Sequence, residues 1–130
     1  RLAFTPIADG VSPAAGRDIK GPTATCNSVS SLDHFIASNG TLFNMKFHPT
    51  ALAGRNGLEN FVSLVRGYFD RKGSHMQFNV VSRETLRDAQ AHPEKYKSLV
   101  VRVAGYSALF TTLSKSLQED IINRTEQGGF

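Results

Sequence analysis

From Gly40 onward the apolar residues of this chain switch repeatedly between two spacings, and that switching restricts the fold more than any other feature. Residues 41–47 alternate in the manner of a strand, and Pro49 stops the run. Leu58, Phe61, Val62, Val65, Tyr68 and Phe69 then recur at three- and four-residue intervals. This predicts a helix over about residues 56–72, with those side chains on one face and Gly73 as its C-terminal stop. Residues 76–81 read as a second strand, Met76, Phe78 and Val80 on one side and Gln77 and Asn79 on the other, where the amides are expected to face outward. Ser82 is placed to cap a short helix closing at residues 88–90, and Pro93 opens a further turn through Tyr96. Residues 99–103 form a nearly continuous apolar run of the kind found in strands covered on both faces. After Ala104, Gly105 and Tyr106, helical spacing resumes through Leu109, Phe110 and Leu113. Ser116 with Glu119 predicts a capping box for a final helix carrying Leu117, Ile121 and Ile122. The alternation predicts an α/β layered or barrel structure, and part of one rather than a closed whole.

The first forty residues behave differently. Pro6, Gly10, Pro13, Gly16, Gly21 and Pro22 interrupt any regular period, so residues 1–40 are expected to be loop-dominated and to run across a surface supplied by preceding chain. Arg1 in place of an initiator Met carries the same expectation of a fragment. The chain then divides into a loop-rich segment at residues 1–50, continuing from an upstream body, and a more regular domain at residues 51–130.

Composition removes several classes of function. The formal charge of +4 comes from Lys and Arg scattered without a basic run, which argues against a nucleic-acid partner. No stretch approaches the ~20 apolar residues that span a bilayer, and a cytoplasmic location is expected. The single cysteine, Cys26, excludes an internal disulfide and any four-cysteine metal site made by this chain, and is expected to act as a small buried hydrophobe. His34, His48, His75 and His92 lack the spacing of ligands on one helix face, so no metal is expected, and no Gly-rich phosphate motif is present.

That leaves Gly105. A glycine directly after an apolar strand marks a backbone angle, or a space, that only a residue without a side chain can take. Arg102-Val-Ala-Gly-Tyr106, followed by Phe110, Leu113, Gln118, Ile121, Ile122, Arg124, Thr125 and Glu126, resembles the signature of the glycyl radical enzymes. Asp9-Gly-Val-Ser-Pro13, Gly21-Pro-Thr-Ala24, Ser28-Val29, Asn39-Gly-Thr-Leu42 and Lys46-Phe-His-Pro49 are similar to stretches that precede that signature in the family. Glycine suits the chemistry because losing one α-hydrogen leaves an electron delocalised between amide nitrogen and carbonyl, which requires a planar α-carbon that a side chain would crowd.

The resemblance implies Gly105 as the stored radical, a post-translational modification, with no cofactor bound by this chain. It implies loop-shaping or activase-recognition roles for Arg102, Val103, Tyr106 and Ser107. It implies the C-terminal part of a ten-stranded barrel, its Gly loop followed by C-terminal helices. The partners implied are an upstream catalytic body supplying the working cysteine, a radical S-adenosylmethionine activating enzyme and a small-molecule substrate, in a homo-oligomer of an anaerobic bacterium or archaeon. The family's catalytic cysteine lies well upstream of the matched region, so Cys26 is expected to be non-catalytic. Among subgroups, residues 107–127 look closest to the arylacetate decarboxylases, of the 4-hydroxyphenylacetate type. Dehydratases of the diol, glycerol or hydroxyproline type, choline lyase and a stand-alone radical-domain repair protein stay open. The isolated chain is expected to be inactive.

Overall fold

The computed structural model describes residue 8 and residues 10–130; Pro6 and Asp9, invoked above, lie outside the described residues. Helix α1 (Pro22–Ser30) is followed by strand β1 (Asn44–Phe47), a 3₁₀ turn (Pro49–Leu52) and the long helix α2 (Gly54–Asp70). Strand β2 (Gln77–Val80), helix α3 (Arg83–Ala91) and a 3₁₀ turn (Pro93–Lys95) come next. Strands β3 (Val100–Arg102) and β4 (Ser107–Leu109) lead through a 3₁₀ turn (Phe110–Thr112) to helix α4 (Lys115–Asn123) and the short strand β5 (Glu126–Gln127).

Strand β1 lies between β2 and β5 and is parallel to both. Its pleat explains its composition. Phe43, Met45 and Phe47 point to one side, where they form a core with Cys26 and Val29 of α1 and Leu64 and Tyr68 of α2. Lys46 points to the other, and the register Asn44↔Gln77 and Lys46↔Asn79 places four polar side chains together on that second face. Beyond it lies a second core, in which Val81, Leu86 and Ala89 pack with Val101, Val103, Phe110, Ile121 and Ile122. Among the described residues, strands β3 and β4 pair only with each other, as an antiparallel hairpin with rungs Val100↔Leu109, Val101↔Ala108 and Arg102↔Ser107.

Several expectations are corrected. The loop-dominated reading of residues 1–40 missed α1, whose small and polar residues bury only Thr25, Cys26, Val29 and Ser30 beside Pro22 and so carry little periodic signal. Its start is nevertheless written in the sequence, as Gly21 at φ 87° before Pro22 in the first turn. Helix α2 begins at Gly54, and the face that packs is Gly57, Phe61, Leu64 and Tyr68, leaving Leu58, Val62 and Phe69 exposed at 57%, 39% and 45%. Val100 is 58% exposed while Val101 is buried, so β3 is covered on one face only. The residues after Gly105 form β4 and a 3₁₀ turn rather than a helix. Helix α4 is capped by Ser114, which accepts from the Leu117 N–H at 3.4 Å, and not by Ser116 with Glu119. Gln77 and Asn79 are buried, at 6% and 7% exposure, rather than facing outward. Ser82 caps α3 as expected, accepting from Thr85 N–H at 3.1 Å, and the helix runs on to Ala91.

Gly73 acts for a reason other than the one expected. The left-handed residue after α2 is Lys72, at φ 70°. Gly73 instead lets the chain fold back against Tyr68: its N–H reaches the Tyr68 carbonyl at 3.1 Å, and a Cβ there would stand 2.2 Å from the Tyr68 ring. Gly67, inside α2, has nothing within 4 Å of the same point. Gly73→Ala is therefore expected to cost about 2–3 kcal/mol by forcing Tyr68 out of place. Gly67→Ala is expected to gain up to about 1 kcal/mol of helix propensity. Thermal unfolding of the two variants beside the parent protein checks the opposite signs.

Candidate functional site

The hairpin turn holds Gly105. Arg102↔Ser107 is the last rung, and beyond it the Val103 N–H donates to the Tyr106 carbonyl at 2.9 Å. Four residues must reverse the chain between those points, and Gly105 does so at φ 76°, a value its neighbours could adopt only under strain. Among the described residues the backbone angle is its requirement, because a Cβ on Gly105 would meet only the Leu42 methyls there, at 3.6 and 3.8 Å, which is ordinary contact. Gly105 and Tyr106 are exposed, Tyr106 at 52%.

The other residues singled out in the sequence are brought to this hairpin in different ways. Val103 is buried in the second core. The Arg102 guanidinium donates twice to Oε1 of Gln77, from Nε at 3.2 Å and from a terminal nitrogen at 3.0 Å, and once to the Ser107 hydroxyl at 3.2 Å. The Arg102 backbone is held by Asn79, whose Nδ2 donates to the carbonyl at 2.8 Å while its Oδ1 accepts the N–H at 2.8 Å. Carbonyl groups of the loop are satisfied by Arg124, which donates to Val103 O at 2.9 Å and Arg102 O at 3.4 Å and pairs with Asp120 at 3.2 Å. Those loop carbonyls are thus held by Arg124, while the Arg102 guanidinium is turned to Gln77 and Ser107. Gln77, Asn79 and Leu42 were not singled out for the site, although a Gln-x-Asn pair at strand spacing places two amides on one face and was legible as such.

Cys26 stands on the opposite side of the sheet. It is 3% exposed, its thiol lies 3.8 Å from the Met45 sulfur, and burial pushes its pKa up to about 12, which disfavours the thiolate. His34 is likewise internal, bonded to Thr41 Oγ1 at 2.8 Å and the Val29 carbonyl at 2.9 Å. One His-containing group does converge: His48, Glu84 and Glu126 place a ligand atom each within 4.8 Å of one another. Its carboxylates have partners already. Glu126 accepts the Arg83 N–H at 2.7 Å, and Glu84 lies in the first turn of α3, held below the usual carboxylate range by its own backbone N–H and Ser82. No helix among the described residues is long and apolar enough to cross a membrane.

The family model described as "Glycine radical" matches residues 7–111. Among solved structures, the chain is similar to the protein of "1,2-propanediol Dehydration in Roseburia inulinivorans", with 77% identity and a TM-score of 0.92 over 98% of this chain and 16% of that one. Among curated relatives it is 49% identical to trans-4-hydroxy-L-proline dehydratase of Clostridioides difficile, over 98% of this chain and 16% of the relative. It is 47% identical to the 4-hydroxyphenylacetate decarboxylase glycyl radical subunit of Clostridium scatologenes, over 97% of this chain and 14% of the relative. The chain therefore spans about a sixth of the length of the relatives it matches.

One buried charge ties the site's supports together. The Lys46 side chain is 0% exposed, and its ammonium donates to the carbonyls of Ile122 at 2.8 Å and Ile121 at 3.5 Å, in the last turn of α4, with Glu126 at 4.0 Å. Burial lowers its pKa from 10.5 to about 8, against the opposing pull of Glu126. Between those two values the unfolded chain binds a proton that the folded chain releases, so Lys46 makes stability rise as pH rises. Lys46→Met cannot titrate. The stability of the parent relative to this variant is expected to grow by about 2–3 kcal/mol from pH 8 to pH 10, measured by denaturant unfolding at each pH; a flat difference counts against the buried ammonium.

Proposed function

The chain belongs to the glycyl radical enzyme family, and from that premise we propose that it is the radical-storing segment of a vicinal-diol dehydratase, with Gly105 as the storage residue. The observation that carries this reading is the position of Gly105. It stands at the open tip of a braced hairpin, with the described residues approaching no closer than 3.6 Å to where a side chain would begin. An α-hydrogen so placed is reachable from outside the chain, which is what abstraction by a radical S-adenosylmethionine activase and later transfer to a cysteine of the upstream body require. Cys26, behind the sheet with a raised pKa, is not that cysteine.

Identity guides the choice of substrate class. The 77% identity to the protein of 1,2-propanediol dehydration, against 47% to the arylacetate decarboxylase subunit, favours the dehydratase over the decarboxylase that residues 107–127 first resembled. In such a reaction the cysteine radical removes hydrogen from a hydroxyl-bearing carbon, the neighbouring hydroxyl leaves as water as the first hydroxyl gives up its proton, and the thiol returns the hydrogen to the carbon that lost its hydroxyl to give a carbonyl compound. Atoms and electrons balance without an external oxidant. The group that meets the substrate in these steps is the cysteine of the upstream body, and the part of this chain is to store the radical on Gly105 and hold it in place.

In the complete enzyme, activated anaerobically, the electron paramagnetic resonance spectrum is expected to show a doublet that collapses when glycine is α-deuterated, with Gly105→Ala giving neither doublet nor product. Full turnover by Gly105→Ala would overturn the assignment of the site. Conversion of 4-hydroxyphenylacetate in place of 1,2-propanediol would overturn the substrate class alone.

A further inference from the structure

We propose that Gln77 and Asn79 are positioning residues for Gly105, acting through Arg102; the inference rests on the reading of Gly105 as the radical store. The hairpin makes no backbone ladder with the three-stranded sheet, since β3 pairs only with β4. Side chains on the polar face of the sheet do that work. Asn79 both gives a hydrogen bond to the Arg102 carbonyl and takes one from the Arg102 N–H, each at 2.8 Å, so a carboxamide reproduces the reciprocal pair that a neighbouring strand would make. Gln77 holds the side chain of the same residue through two N–H groups, at 3.2 and 3.0 Å.

Both amides therefore converge on one residue, and that residue forms the last rung before the turn. The Arg102 guanidinium also reaches Ser107 across the rung, at 3.2 Å, so the grip on β3 is passed to β4 and brackets Gly105 from both sides. Gln77 and Asn79 are 6% and 7% exposed. Two buried amides one strand repeat apart are unfavourable unless fully paired, and all of this pairing is spent on the hairpin and on Asn44, whose Oδ1 accepts from the Gln77 amide. Hydrogen transfer is steep in distance: a displacement of about 1 Å can cost on the order of a hundredfold in rate. A fastening made at the last rung sets that distance more directly than one made elsewhere in the fold.

The test uses the complete enzyme with its activase, and reads turnover per unpaired spin, together with the melting temperature of each variant. Asn79→Asp keeps the acceptor for the Arg102 N–H but sets a carboxylate against the Arg102 carbonyl. Gln77→Ala removes the guanidinium's partner, while Gln77→Glu keeps it as a charged acceptor. Turnover per spin is expected to fall about tenfold or more in Asn79→Asp and Gln77→Ala, and to stay within about threefold of the parent in Gln77→Glu. Should Asn79→Asp fail to fold, the contrast between the two Gln77 variants decides. A radical-bearing parent with undiminished turnover per spin in Gln77→Ala overturns the proposal even if melting temperatures fall, because that is the mark of a merely structural role. A parent with no glycine-centred radical removes the reading of Gly105 itself, and this inference with it.

Discussion

The buried ammonium of Lys46 is the interaction on which the arrangement depends. It comes from the central strand and ends on the carbonyls of Ile121 and Ile122, so the middle of the sheet and the last turn of α4 are fixed to one another. Carbonyl groups at the end of a helix have no intrahelical partner, and a cation there meets both their hydrogen-bonding need and the negative end of the helix dipole. Arg124 follows directly on α4 and reaches the Arg102 and Val103 carbonyls. The position of the turn that carries Gly105 thus traces back, through two cations and one helix, to a lysine in the interior of β1.

A second line of support runs through neutral groups. The polar face of β1 and β2 presents Asn44, Lys46, Gln77 and Asn79 in one register, and all four are engaged by residues beyond the sheet or by each other. Hydrophobic burial holds the outer faces: Val101 and Val103 lock the hairpin against α3 and α4 in the second core. Direction comes from the polar contacts, which have donors and acceptors and therefore a geometry, whereas apolar packing tolerates sliding. The hairpin that carries Gly105 draws on the directional kind through Arg102 and Arg124.

How much of this was legible in the sequence follows from where each signal resides. The signature around Gly105 named the family, period-two and 3.6-residue spacing gave β1, α2 and β2 close to their places, and the Ser82 cap gave α3. Periodicity missed α1, where the residues buried are small, and it placed β2 without telling that both of its faces are used. Alternation in residues 76–81 was correctly seen, but polar side chains were assigned to solvent because burial of amides is unfavourable without partners. Those partners, Arg102 and its backbone, lie 25 and 23 residues further on and become visible only when the chain is folded. The stripe on α2 erred in the other direction, since Leu58, Val62 and Phe69 share the spacing of the packed face but lie beside it.

The reach of Lys46 has a consequence for how the chain is made. Lys46 and Ile122 are 76 residues apart, and β1 receives its second neighbour only with Glu126 and Gln127. At a synthesis rate of roughly 5–20 residues per second, about four to fifteen seconds separate the lysine from the carbonyls it will bind. During that interval β1 carries one open edge and an ammonium still in water. The residues of the first core, from α1, β1 and α2, are therefore all made before those of the second are complete, and the hairpin residues around Gly105 are made before their anchor at Arg124. Order of synthesis places the supports of the Gly105 turn among the last parts of this segment to be made.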